Sequence, residues 1–393
     1  MACSPRVAEV IRLSLVDPAV EGRRDERLRD LVRVFTLRDV EELRAASVHH
    51  GVASYVYESI APLSGVPDPA LATLRELRDG IALRHLRTVG DLQLVSATLS
   101  VRAIPWLVFK GPTLAEPVHG SALSRAYGDL DLLVPATHLR RSLSALEEVG
   151  AELLDRNWQL IDAEDKGELH LRLPSGAFVD LHWHLFNERS RRRIFPVDIA
   201  ALVRRAREVE VGGCRVPAMD PVDATVYVAL HTMHSGANRL MWLKDLERLL
   251  AVPDLDPGAV VTRARAWRAE VVLLGALLRA EQALGPLSGA DQIRTALPEH
   301  RGLLAAAGWC WRRSPAERED GSPSLGRLVA RSLRPTSPKT LLEFVRRSLA
   351  FARAPNLERR RFDAGDPRSG AYEAGGTEQR DAFLTRRDLG RTV

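Results

Sequence analysis

The stretch Tyr127-Gly128-Asp129-Leu130-Asp131-Leu132-Leu133-Val134 alternates acidic and aliphatic side chains and stops at Pro135. Successive side chains of a strand point to opposite faces, so Asp129 and Asp131 share one face while Leu130, Leu132 and Val134 share the other. The rise of a strand sets the two carboxylates about 7 Å apart at the Cα level. At that spacing both can reach one or two hard cations, which take oxygen ligands and are commonly shared between one or two carboxylates and a triphosphate. Alone, Asp-x-Asp also describes the polar end of an ordinary surface strand.

Two further segments narrow the reading. In Phe178-Val179-Asp180-Leu181-His182-Trp183-His184-Leu185, period two puts Val179, Leu181, Trp183 and Leu185 on one face and Asp180, His182 and His184 on the other. An acid in the middle of a core-like strand is costly unless it is paired, protonated or bound to a metal. Asp180 is therefore expected as a third carboxylate, completing a two-metal site or acting as base toward an acceptor hydroxyl. The other segment is the apolar run Ile104 to Phe109, a buried strand ending at Lys110-Gly111-Pro112-Thr113. Gly111 can bend the chain sharply, and Pro112 suits the first position of a helix. A helix N-terminus offers N–H groups and partial positive charge to phosphates, with Lys110 and Thr113 adding a cation and a hydroxyl.

Outside these segments the chain is largely helical. Residues 1–98 show apolar recurrence at three and four positions, as in Leu28, Leu31, Val32 and Phe35, and Asp68-Pro69 can open a helix running toward Leu99. Residues 99–215 form the α/β core. There Thr137 or its successor starts a helix that Gly150 ends, and Glu168 to Leu173 pairs with Ala177 to Leu185 as a hairpin about Pro174-Ser175-Gly176. Helices return over 216–322, opening at Asp220-Pro221 and continuing over Asn238 to Leu250 and Pro257 to Leu284. Residues 323–393 make a basic tail with one helix over Leu341 to Phe351, and the polar, Gly- and Arg-rich end from Glu358 is expected to be disordered.

In chain order, Phe109-Lys110-Gly111, Arg125, Asp129 to Val134 and Val179 to Trp183 resemble the family of uncharacterised bacterial nucleotidyltransferases in the DNA polymerase β-like superfamily. The likeness extends to Val48-His49-His50-Gly51-Val52 upstream and to His231 through Trp242-Leu243-Lys244-Asp245-Leu246 downstream, in all roughly residues 30 to 285. It implies an α+β fold, a small mixed β-sheet nucleotidyltransferase core flanked by N- and C-terminal helical regions. It also implies metal binding by Asp129, Asp131 and Asp180, with magnesium, or manganese, as cofactor. The reaction implied is transfer of a nucleoside monophosphate from an NTP with release of pyrophosphate. The superfamily usually places Gly-Ser at the phosphate turn, whereas Pro112 follows Lys110-Gly111 here, so the serine contact is missing and Lys110 is the alternative phosphate ligand.

Several assignments stay open at this level. Arg125 either grips a phosphate with its fork or pairs with one of the aspartates. His182 and His184 either serve the acceptor side or join Asp180 around a transition metal. The acceptor is a small molecule, a peptide, a protein or an RNA end. Two other functions fit the same residues: a non-catalytic nucleotide or phosphate-binding module, and transfer of another phosphate-linked group.

The 393 residues are 45% hydrophobic, enough for a substantial core. Apolar runs such as Val271 to Leu278 are far shorter than the roughly 20 residues of a membrane span, and Met1 to Arg12 lacks a signal-peptide pattern. The expected address is the cytoplasm. Cys3, Cys214 and Cys310 have neither disulfide-framework nor zinc spacing. Of the net charge of +5, residues 323–393 carry +7 and the remainder −2, so no basic patch on the folded body is implied, and no DNA-binding motif is present.

Overall fold

A computed structural model of the chain describes residues 3–155, 157–297, 300–311, 314–317, 324–353 and 377–389. Seven strands form one mixed sheet in the order β3-β4-β5-β2-β1-β7-β6. They are β1 (Leu107–Val108), β2 (Asp129–Leu133), β3 (Glu152–Leu153), β4 (Glu168–Arg172), β5 (Phe178–His182), β6 (Arg207–Val211) and β7 (Cys214–Ala218). The chain is an α+β protein in which this mixed sheet is accompanied by many helices. By internal contacts it divides into two compact units: Met1–Arg84, Leu114–Tyr127 and Pro221–Ser348 make one, and His85–Thr113, Gly128–Asp220 and Leu349–Val393 make the other.

In the sheet unit, β2 lies between β5, to which it is parallel, and β1, to which it is antiparallel. Leu130 and Leu132 on β2, Leu169 and Leu171 on β4, and Val179 and Leu181 on β5 belong to one buried apolar cluster. Full burial of each such side chain contributes about 1.5–3 kcal/mol. This cluster holds one face of the sheet in place, so the alternate residues, Asp129, Asp131, Asp180, His182, His170 and Glu168, are committed to the other face. A one-residue slip would put carboxylates into the apolar layer, which fixes the register.

The β4–β5 hairpin forms about Pro174-Ser175-Gly176 as expected, with Leu173 and Ala177 hydrogen-bonded and Gly176 at φ +87. Two strand readings need correction. Strand β1 covers only Leu107–Val108, although Ile104 and Trp106 remain in the apolar cluster. Strand β5 stops at His182, where Trp183 and His184 turn their N–H groups onto the Gly167 carbonyl instead of continuing a ladder. The hairpin β6–β7 has no counterpart in the sequence reading. Its edge strand, Arg207-Glu208-Val209-Glu210-Val211, is rich in charge, and β7 contains Pro217, both of which mask a strand and both of which are tolerated near a sheet edge. Gly212 in its turn is at φ +55, and a Cβ there would lie 2.4 Å from Val89 Cγ2. Only glycine meets both demands.

Thr377–Asp388 is a helix, correcting the expectation of disorder for those residues; the remainder from Glu358 lies outside the described residues. Its order comes from tertiary contact. Phe383 packs against Trp158, tilted, and Trp183, edge-on, with ring centroids 5.7 and 5.8 Å apart. Arg387 pairs with Asp165, and Arg140 bonds to Asp381 and Asp388. Only two apolar side chains anchor this helix, too few to stand out in a polar stretch. Leu384→Ala, at a site 2% exposed, is expected to cost about 2–4 kcal/mol. Thermal unfolding followed by tryptophan fluorescence measures this, and an unchanged melting temperature would dismiss the docking.

The other unit is helical. Thr36 and Asp39 form a capping box that starts the helix Leu37–His50, and Gly51, at φ +72, ends it. The segment read as one helix from Pro257 to Leu284 is two, Pro257–Ala266 and Glu270–Leu284, separated where Arg268 takes φ +55. Among the described residues no helix is long and apolar enough to cross a membrane.

Candidate active site

The β2–β5 register sets Asp131 directly beside Asp180 and Leu133 beside His182; the β4–β5 register sets His170 beside Asp180 and Glu168 beside His182. Cross-strand neighbours share a face, so six polar side chains from three strands meet over a few residues. Ligand atoms of Asp131, Asp180 and His182 lie within 4.8 Å of one another. Donors on one octahedral ion, with bonds of about 2.1 Å, are about 3 Å apart when adjacent and about 4.2 Å when opposite. The trio is close to the spacing that a divalent ion needs, and a small side-chain adjustment would let all three reach one ion. Asp129 shares the face one step along β2, opposite Phe178.

Charge is tightly balanced here. Asp131 is fully buried, with Lys110 Nζ at 2.8 Å and His182 Nε2 at 3.3 Å from its Oδ1. Burial alone would raise its pKa, but Lys110 and His182 outweigh burial and hold the carboxyl well below the usual range. For Asp180 the balance goes the other way. Burial, with the neighbouring Asp131 charge, pushes it up to about 6 despite opposing His170 and His182. Burial lowers the His182 pKa, yet Glu168 and Asp131 more than compensate and the result is raised.

Glu168, His170 and Asp155 were not singled out from the sequence. His170 donates its backbone N–H to Asp155 Oδ2 at 2.6 Å, and its Nδ1 lies 2.8 Å from the same oxygen. Its Nε2 faces Glu168 at 3.8 Å and Asp180 at 3.9 Å. The Asp155 hydrogen bond raises His170 to about 9 against the opposing effect of burial, placing a cation beside Asp180. A signal for Glu168 and His170 was present, though none for Asp155. A hairpin closed over Pro174-Ser175-Gly176 pairs 173 with 177, and counting back gives 170 with 180 and 168 with 182.

The turn after β1 has the expected form. Gly111 takes φ +67, Pro112 opens the helix Pro112–His119, and the Thr113 hydroxyl donates to the Lys110 carbonyl at 3.2 Å. Lys110 thus stands beside Asp131, with its ammonium 5.9 Å from the Phe109 ring centroid.

Two residues are placed differently from the sequence expectation. Arg125 belongs to the helical unit, where its Nε and Nη2 reach Asp245 at 2.7 and 2.9 Å. Its fork is occupied by a buried carboxylate that was not among the aspartates considered for it. His184 falls beyond the end of β5, so alternation no longer directs it to the Asp180 face. Its Nδ1 accepts the Phe186 N–H at 3.1 Å, and burial, reinforced by Arg192, lowers its pKa to about 3.

No curated protein and no solved structure matches the chain. The model of a family described as an uncharacterised nucleotidyltransferase does match, over residues 36–285. That span is well over half of the chain and contains the glycine turn, the Asp-x-Asp strand and the third acid. The chain is therefore a member of this nucleotidyltransferase family, and it is a transferase.

Proposed function

We propose that the protein transfers a nucleoside monophosphate from an NTP to an acceptor hydroxyl or similar group, releasing pyrophosphate, with the β2–β5 face as its catalytic surface. The observation that carries this reading is the parallel register placing Asp180 beside Asp131, with the Lys110-Gly111-Pro112 turn following the strand next to β2. Asp131 and Asp180, with Asp129 on the same face, would hold magnesium or manganese. A divalent ion there would neutralise triphosphate charge and lower the cost of charge on the attacking oxygen. Asp180, held beside Asp131 on the same face, would take the acceptor proton. Lys110 and the start of the helix Pro112–His119 would position the phosphates in place of the missing serine contact.

Incubation with α-labelled NTPs, a divalent ion and a panel of small-molecule, peptide, protein and RNA acceptors tests this. Label is expected to appear on an acceptor, equimolar with pyrophosphate, and to vanish on chelation. Binding without turnover over the whole panel would defeat the reading, and a product mass lacking the nucleoside would reassign the transferred group.

A further inference from the structure

Beyond the carboxylates, the three-strand face holds an imidazole arranged as metal-ligating histidines usually are. His182 ends β5 and is 6% exposed. Its Nε2 is directed at Asp131 Oδ1 at 3.3 Å and its Nδ1 at Glu168 Oε2 at 3.2 Å. Neither approach has the alignment of a hydrogen bond, so among the described residues both buried nitrogens lack a properly formed partner. The ring cannot turn away easily, because Phe109 packs edge-on against it at 4.9 Å between centroids and 87° between planes. Ligating histidines almost always direct their second ring nitrogen at a carboxylate or carbonyl, which fixes the tautomer and strengthens the donor. Glu168 stands where that partner belongs.

We infer that His182 ligates the divalent ion of this site through Nε2, backed by Glu168, and that this nitrogen donor makes the site favour Mn2+ over Mg2+. The inference rests on the preceding reading that Asp131 and Asp180 hold an ion. Magnesium strongly prefers oxygen donors and surrendering few waters, whereas mixed carboxylate and imidazole sets suit first-row transition ions. Manganese, the most oxygen-tolerant of these, matches two carboxylates plus one imidazole. The bland alternative is that His182 is only a buried cation between Asp131 and Glu168, in which case no nitrogen approaches the metal.

Pulsed electron paramagnetic resonance of the full-length protein with Mn2+ separates the two. Modulation from a directly bound imidazole nitrogen is expected in the unaltered protein and should change its pattern when histidine is 15N-labelled. Titration should show Mn2+ binding at least ten-fold tighter than Mg2+, with this preference falling at least ten-fold in His182→Gln. Glu168→Gln should keep the nitrogen signal but weaken Mn2+ by about 10–100-fold. Bound Mn2+ without nitrogen modulation in the unaltered protein, or no Mn2+ binding, overturns the inference, and neither result depends on a variant folding. Absent modulation alongside Mg2+-supported transfer would retire the ligand role alone. Nitrogen modulation without transfer to any acceptor would retire the proposed nucleotidyl-transfer reaction and leave the ligand in place.

Discussion

Asp180→Asn is expected to lower transfer by about 10²–10⁴-fold, the usual contribution of a positioned base, while raising the stability of the metal-free protein. Both effects have one cause: a carboxylate held on a buried face beside Asp131, which raises its pKa from the ordinary 3.8 to about 6. Between those values the folded protein retains a proton that the unfolded chain has released. Stability therefore declines as pH rises from about 4 through about 6, and above that the full cost of the charge is present. Two pKa units correspond to at most about 3 kcal/mol. Asparagine removes the charge, so its melting temperature should exceed that of the parent at pH 7.5 and lose the advantage near pH 4. A melting difference equal at both pH values, or unimpaired transfer, would contradict the assignment. The double variant Asp129→Ala/Asp131→Ala should lose transfer at least as completely. Its stability should move the opposite way, because Lys110 and His182 then face no carboxylate on β2.

Asp245→Ala is expected to destabilise the helical unit by about 3–5 kcal/mol, the range for removing one partner of a buried ion pair. Asp245 is 2% exposed and receives both arms of Arg125. Its Oδ1 is also 2.8 Å from His119 Nε2, and His119 Nδ1 is 2.8 Å from the Tyr55 hydroxyl. Burial would raise the Asp245 pKa, but Arg125 and then His119 outweigh it and bring it to about 2. The pair's contribution is thus fully present above the ordinary carboxyl pKa and is lost as pH falls from about 4 toward 2. Removing the carboxylate takes away the acceptor of both arms of a buried guanidinium. Urea titration at pH 7 should show a clearly lowered midpoint for Asp245→Ala. An unchanged midpoint would mean that Arg125 finds another acceptor, and would reopen a phosphate role for it.

The site is legible in the sequence to the extent that it depends on strand alternation. Asp129, Asp131 and Asp180 stand out because each interrupts an aliphatic pattern, and the pattern itself places them on the face opposite Leu130, Leu132, Val179 and Leu181. Gly111 and Pro112 are equally legible, since a left-handed φ and a first helical position each select their residue. Those are local constraints, and local constraints are written in neighbouring residues.

What required tertiary structure was pairing across long separations. Nothing within residues 129–134 says that β5 lies parallel to β2 with Asp180 beside Asp131, because register over nearly fifty residues is decided by how two apolar faces pack. Likewise the destination of Arg125, 120 residues from Asp245, and the order of Thr377–Asp388 depend on partners that no sequence window contains. An ionic or aromatic side chain carries its chemistry in its identity, but its partner is set by packing. The sequence by itself determined which groups could do the chemistry and on which face they stand; only the folded chain decided that β5 lies against β2 with Asp180 beside Asp131, and that Arg125 is engaged elsewhere.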